Sequence, residues 1–134
     1  MTLFDIIEGI SPTLKTFSNI NAMWLEGSWA TGKNHEGSDI DVWLDVKEGT
    51  FTKSIDQFRE LLSEIGEIDW EESRGVYSTE PMLQKHTFHL AGFPEAQRIE
   101  LDLQHNVRKF RFNKKEHVIH VIFDKADVIE WGYS

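Results

Sequence analysis

The stretch "WLEGSWATGKNHEGSDIDVWLDV" (residues 24–46) decides the fold of this chain. It begins as a short apolar strand that ends at Gly27, passes through a turn with further glycines, and returns as a strand over 38–46. In that second strand every other residue is apolar: Ile40, Val42, Leu44 and Val46. The alternation predicts one buried face. It leaves open why Asp39 and Asp41 occupy the other face.

A helix is predicted before these strands, over residues 2–18, because apolar residues recur there at helical spacing. Pro12 is expected to break or bend this helix, since proline lacks a backbone N–H, and Ser11 is expected to cap a second turn.

A second helix is predicted after a turn at 47–50. Its apolar stripe begins at Phe51 and stops at Gly66, and the spacing of Ser54 and Gln57 is that of a capping box. The strands that follow are predicted at 67–73, 83–90, 98–105 and 117–123, with a loop at 73–81. This order favours an α/β (α+β) fold, a mixed β-sheet with helices on one face, in a single domain over residues 1–134.

Composition narrows the class of protein. The 134 residues include no cysteine, which excludes disulfides, thiolate metal sites and cysteine catalysis. The net charge of −9 argues against a general nucleic-acid binder, which needs positive charge to neutralise phosphates. No apolar run approaches the roughly 20 residues that span a bilayer, and no secretory signal is evident. We therefore expect a cytoplasmic protein that does not contact membranes.

Carboxylates recur on two predicted strands. Asp39 and Asp41 lie on one face of the first, about 6–7 Å apart along it, and "RIELDLQH" (98–105) places Glu100 and Asp102 on one face of the second. If the strands are neighbours, Asp102 joins the two earlier aspartates. Such carboxylates repel one another, and magnesium relieves the repulsion; two ions can clamp an in-line displacement at phosphorus. The alternative is a solvated face of a half-exposed sheet.

Gly27 and Ser28 end the first strand where a helical turn is expected, so backbone N–H groups and a hydroxyl point outward together. This arrangement favours phosphate oxygens. An ordinary strand-to-helix turn is the alternative.

Together these residues resemble the polymerase-beta-like nucleotidyltransferase superfamily. The matching segments are "WLEGS", "WATG", "SDIDVWL" and "IELDLQ", and the later strands are similar to the aminoglycoside and lincosamide adenylyltransferase branch. The resemblance implies transfer of a nucleoside monophosphate, AMP from ATP, to a hydroxyl of a small molecule or a protein, with release of pyrophosphate. It points to antibiotic resistance or to the antitoxin of a toxin–antitoxin pair. A non-catalytic module that binds a nucleotide or a partner is the alternative.

The resemblance also implies roles for individual residues. Asp39, Asp41 and Asp102 would be catalytic and would ligate two Mg²⁺ ions, and Gly27, Ser28, Lys33 and Ser38 would bind the nucleoside triphosphate. Trp29 stands where many members carry arginine, so Lys33 or a later basic loop would have to supply the cation. Larger members carry a C-terminal helical domain, and we expect no counterpart of it within residues 1–134. The acceptor pocket of this chain would therefore be shallow, shared in a homodimer, or completed by a helical partner protein.

Other features have two interpretations each. The basic segment 107–115 is either a contact for phosphates or RNA or a solvated hairpin. Trp43 either stacks on a base or packs against a neighbouring strand. Glu100 and Asp45 are candidates for a general base, or simply carboxylates that face solvent. The histidines lack metal-ligand spacing, and alternation puts His86 and His89 on opposite faces, which favours structural roles.

Overall fold

The computed structural model of the protein describes residues 1–27, 39–77, 80–105, 110–113 and 119–132. Within them the elements follow in this order: α1 Leu3–Thr16, β1 Ile20–Glu26, β2 Ile40–Val46, α2 Phe51–Ile65, β3 Ile68–Tyr77, β4 Glu80–Leu90, β5 Ile99–His105, β6 Phe110–Asn113, β7 His120–Asp124 and β8 Ile129–Gly132. None of the helices in these ranges has the length and apolar character that a bilayer span requires.

Six strands form one mixed sheet in the order β3-β4-β5-β2-β1-β7. Only the central β2–β5 pair is parallel among the pairs described in it; the others are antiparallel. β6 and β8 make a separate parallel pair. The predicted fold class, a mixed sheet in an α+β arrangement, is confirmed.

Both helices cover the same face of the sheet. Ile7 of α1 and Phe58 of α2 belong to one buried cluster together with alternate residues of β2 and β5, such as Val42 and Leu101. Phe58 also packs on Phe88 of β4, with ring centroids 5.6 Å apart. The hydrophobic face of the alternation in β2 therefore lies under the helices, and its other face is directed away from them.

Of the two effects expected of Pro12, a break in the first helix is wrong, and a bend stays a prediction. α1 runs through Pro12, where the missing N–H would have paired with the carbonyl of Glu8. The Ser11 hydroxyl donates to that carbonyl instead, at 2.9 Å. Ser11 therefore replaces the lost hydrogen bond rather than capping a second turn. The N-terminal cap is formed by Thr2 and Asp5, which bond reciprocally.

The capping box predicted for the second helix is also wrong. α2 begins at Phe51, so Ser54 and Gln57 lie inside it. Their side-chain oxygens accept from the amide of the buried Asn19, at 2.9 and 2.8 Å. These two residues join the helix to the start of β1. The predicted stop at Gly66 is confirmed as the C-cap.

The predicted loop at 73–81 is largely strand. β3 continues to Tyr77 and β4 starts at Glu80, and the pair includes three irregularities in register. Such bulges increase local twist and accommodate residues like Gly75 that weaken a strand signal in the sequence. The basic segment 107–115 includes β6, which pairs in parallel with β8, so the interpretation as a hairpin is wrong; the contact with phosphates or RNA stays a prediction.

Candidate active site

Neighbouring strands bring carboxylates together on the sheet face opposite the helices. Asp41 lies level with Glu26 of β1 and, across the parallel pair, level with Glu100 of β5. Adjacent strands are about 4.8 Å apart, so side chains at level positions on one face can contact each other. Asp102 lies two residues beyond Glu100, level with Trp43. We call the surface formed by Glu26, Asp41, Glu100 and Asp102 the acid face.

Negative charge exceeds positive charge within this group. Burial raises the pKa of Asp41 to about 7, assisted by a hydrogen bond with Glu100 and by the charges of Glu100 and Asp102. Burial likewise raises the pKa of Asp102 to about 6, although Lys85 acts in the opposite direction. The Lys85 ammonium lies 3.5 Å from a carboxylate oxygen of Glu100. The positive charge of Lys85 therefore acts on several carboxylates.

Asp39 is held differently from Asp41. The backbone N–H of Arg98 donates to its Oδ1 at 2.8 Å, which ties the start of β2 to the residue before β5. Its neighbour Ile40 is fully buried on the helix side, so Asp39 lies on the side of the acid face. The strands expected to be neighbours are neighbours, and Asp39, Asp41 and Asp102 share one side of the sheet.

The donor chemistry of the acid face fits a hard divalent cation. Its side chains offer carboxylate oxygens, the ligands that Mg²⁺ prefers, and a cation would stabilise the ionised forms of Asp41 and Asp102, whose pKa is raised by burial and by neighbouring carboxylates. In the described ranges, no group of three or more His, Asp or Glu side chains is placed so that it could hold a metal ion. The metal-ligand assignment of Asp39, Asp41 and Asp102 stays a prediction.

Gly27 ends β1 directly beside Asp41. Its φ of +79° is a conformation that glycine adopts readily, and a Cβ built on it would lie 2.5 Å from Oδ2 of Asp41. The glycine is therefore required both by the turn and by the space that the carboxylate occupies. The other predicted nucleotide-binding residues, Ser28, Lys33 and Ser38, lie outside the described residues.

Two residues of β2 that were candidates for chemistry have structural surroundings. Trp43 stacks on Trp24 with ring centroids 5.9 Å apart and packs on a small buried cluster that includes Val128. Of its two interpretations, packing against a neighbouring strand is the one observed.

Asp45 is fully buried rather than facing solvent. Asn21 donates to one of its carboxylate oxygens at 2.9 Å and Gln104 donates to the other. With both oxygens engaged and no access to solvent, Asp45 does not suit the role of a general base.

His86 and His89 each contact a carboxylate on β3. His86 contacts Glu71 at 2.9 Å near α2, and His89 contacts Asp69 at 2.6 Å. Because Glu71 also pairs with Arg59 of α2, His86 lies on the helix side, and alternation along β4 puts His89 on the opposite side. The prediction of opposite faces is confirmed.

Lys85 and Arg98 were overlooked in the sequence, although both lie beside the carboxylates. Lys85 is level with Asp102 in the β4–β5 pair, and Arg98 reaches Asp39 through its backbone. The alternation along 83–90 put Lys85 on the face opposite His86 and Phe88. Only the pairing of β4 with β5 brings it to Asp102.

Comparison with known families agrees with this geometry. The family model described as "Polymerase beta, Nucleotidyltransferase" matches residues 8–90, which is more than half of the chain and extends from within α1 to the end of β4. A comparison with curated proteins finds no similar sequence. The matched region contains Gly27, Asp39 and Asp41, and the mixed sheet with two helices on one face is consistent with a nucleotidyltransferase-like fold. This chain belongs to the polymerase-beta-like nucleotidyltransferase superfamily.

Proposed function

We propose that the protein is a magnesium-dependent nucleotidyltransferase that moves a nucleoside monophosphate, AMP from ATP, onto a hydroxyl of a small molecule or a protein. The observation that carries the proposal is the contact of Asp41 with Glu100, beside a glycine that leaves room for the carboxylate. Sheet folding does not require several half-buried carboxylates around one lysine, because such groups repel one another. A site that receives a cation and a triphosphate does require them.

Each residue has a proposed role. Asp39 and Asp41 would hold the magnesium ions, and Gly27, with Ser28, Lys33 and Ser38, would bind the triphosphate. When bound, magnesium neutralises charge on the phosphates and on the oxygen that leaves. The acceptor oxygen forms a bond to the α-phosphorus, the bond to the bridging oxygen of pyrophosphate breaks, and the acceptor proton passes to a carboxylate.

The third acid is either Asp102 or Glu100. Asp102 has the expected place in the sequence pattern, but it is only 7% exposed and lies level with Trp43. Glu100 lies level with Asp41 itself, and its side chain is 28% exposed. The structure therefore offers Glu100 as a second candidate for the position that faces the acceptor hydroxyl.

Calorimetric titration tests the proposal. Each of the four nucleoside triphosphates is titrated with and without Mg²⁺ into wild type and into Asp39→Ala/Asp41→Ala. We expect magnesium-dependent binding that the double variant loses. Glu100→Gln and Asp102→Asn then identify the third acid, because only the variant that removes a ligand should weaken magnesium-dependent binding, by about 10–100-fold. Folded wild type that binds no triphosphate would contradict the proposal.

Release of pyrophosphate separates an enzyme from the alternative, a non-catalytic module that binds a nucleotide or a partner. Small hydroxyl acceptors of the aminoglycoside and lincosamide type form one panel, and a helical toxin encoded beside this chain would be the protein acceptor. Transfer to the first group would indicate antibiotic resistance; transfer to the second would indicate an antitoxin. A single cytoplasmic domain, alone or as a homodimer, is the form in which we propose that it acts.

A further inference from the structure

Arg98 is fixed beside the carboxylates by its backbone. Its N–H donates to Asp39 at 2.8 Å, and its carbonyl accepts from the N–H of Ile40 at 3.0 Å. Ile99, the next residue, is buried under the helices, so the Arg98 side chain starts on the opposite side, with Asp39. Its position is therefore set without any contribution from the guanidinium.

The guanidinium itself is supported by an aromatic ring. Its central carbon lies 4.7 Å from the ring centroid of Trp70, and its Nε donates to the carbonyl of Glu95 at 3.3 Å. Trp70 is 39% exposed, unusually open for a tryptophan. Because Glu71 points to α2, alternation puts Trp70 on the side of the acid face. The ring of Trp70 on β3 therefore supports the guanidinium on the same side of the sheet as the carboxylates.

Arg59 is committed to neighbouring acids, and Arg98 is not. Arg59 binds Asp56 at 2.6 Å and Glu71 at 2.7 Å. Over the ranges that the structure describes, Arg98 forms no ion pair within 4.0 Å, although its own backbone binds Asp39. Two terminal nitrogens of a stacked, half-buried guanidinium are thus left for a ligand.

We propose that Arg98, supported by Trp70, binds a phosphate group of a substrate on the side of the sheet that carries the carboxylates. A guanidinium fork matches two phosphate oxygens, and stacking fixes its plane before the ligand arrives, which lowers the entropy lost on binding. The inference rests on the proposed function, since the reaction brings a triphosphate to this face. The phosphate belongs either to the nucleotide or to the acceptor.

Two titrations distinguish these sources. In the first, the magnesium complex of α,β-methylene-ATP, which resists transfer, is titrated into wild type, Arg98→Ala, Trp70→Ala and Arg59→Ala. In the second, inorganic phosphate is titrated into the same proteins saturated with that nucleotide. Arg59→Ala is the matched control, because it removes the same charge from the helix side. Arg98→Ala keeps the backbone bond to Asp39, so it leaves the position of that carboxylate unchanged.

We expect Arg98→Ala to weaken binding at least about tenfold in one titration, with Trp70→Ala intermediate and Arg59→Ala like wild type. Loss in the first titration assigns the phosphate to the nucleotide, and loss only in the second assigns it to the acceptor. Equal binding by wild type and Arg98→Ala in both would overturn the inference. The proposed function would then still stand if wild type binds the nucleotide and Asp39→Ala/Asp41→Ala does not. Wild type that binds neither ligand would overturn both.

Discussion

Asp41 and Asp45 lie four residues apart on one strand and on one face of the sheet, yet their surroundings are opposite. Asp45 is fully buried and its two carboxylate oxygens are met by the amides of Asn21 and Gln104. Asp41 remains partly open and is surrounded by other carboxylates. A carboxylate whose two oxygens both accept hydrogen bonds, such as Asp45, contributes to the fold. A carboxylate surrounded by other carboxylates, such as Asp41, has a charge that a further cation would compensate.

The largest expected effect concerns the same substitution at both positions. Asp45→Leu leaves two buried amide donors unpaired, so we expect the free energy of unfolding to fall by about 2–4 kcal/mol. Asp41→Leu removes a repelled carboxylate, and we expect a change of less than about 1 kcal/mol. Urea denaturation at pH 7.5 in EDTA measures both. Equal losses at the two positions would mean that Asp41 is also a structural residue.

Much of this difference could not be inferred from the sequence. Alternation places both aspartates on one face of β2, and that prediction was correct. Which residues lie opposite them depends on pairing between strands more than 50 positions apart, such as Asp45 with Gln104. The amide side chains of Asn21 and Gln104 carry no signal for such a pair in one sequence, so Asp45 remained a candidate for chemistry.

Local features were predictable where one local interaction dominates. The stop of α2 at Gly66 and the direction of the β2 faces are examples. The predicted break at Pro12 and the predicted capping box at Ser54 were wrong because side-chain hydrogen bonds decided the outcome: Ser11 compensates for the proline within the helix, and the distant Asn19 binds Ser54. The placement of Asp39, Asp41 and Asp102 on one side of the sheet was predictable from their spacing. The placement of Lys85 level with Asp102 depends on the register of the sheet.

A second prediction compares two glycines with nearly the same backbone. Gly27 has φ +79° and Gly49 has φ +77°, so alanine at either position should cost about 1–2 kcal/mol of stability. Only at Gly27 would the new Cβ meet Oδ2 of Asp41, at 2.5 Å, whereas nothing lies within 4 Å at Gly49. We therefore expect Gly27→Ala, and not Gly49→Ala, to weaken magnesium-dependent nucleotide binding at least about tenfold. Calorimetry on both variants checks this, and equal affinities would show that the position of the Asp41 carboxylate does not matter for binding.

The smallest expected effect is a dependence of stability on pH. The pKa of Asp41 is raised to about 7 and that of Asp102 to about 6, so the folded protein holds these protons more tightly than the unfolded chain does. The contribution of these two groups to stability is therefore fully present below about pH 4 and is lost as pH rises through about 6 and 7. His89, whose pKa is raised mainly by its hydrogen bond to Asp69, contributes a fall of the same sign. Between pH 5 and pH 7.5 in EDTA, we expect the free energy of unfolding of wild type to fall by about 1–2 kcal/mol more than that of Asp41→Leu, which retains His89. Parallel profiles for the two proteins would show that the excess negative charge does not lie at Asp41. The partly exposed end of β2 would then give no reason to expect a bound cation.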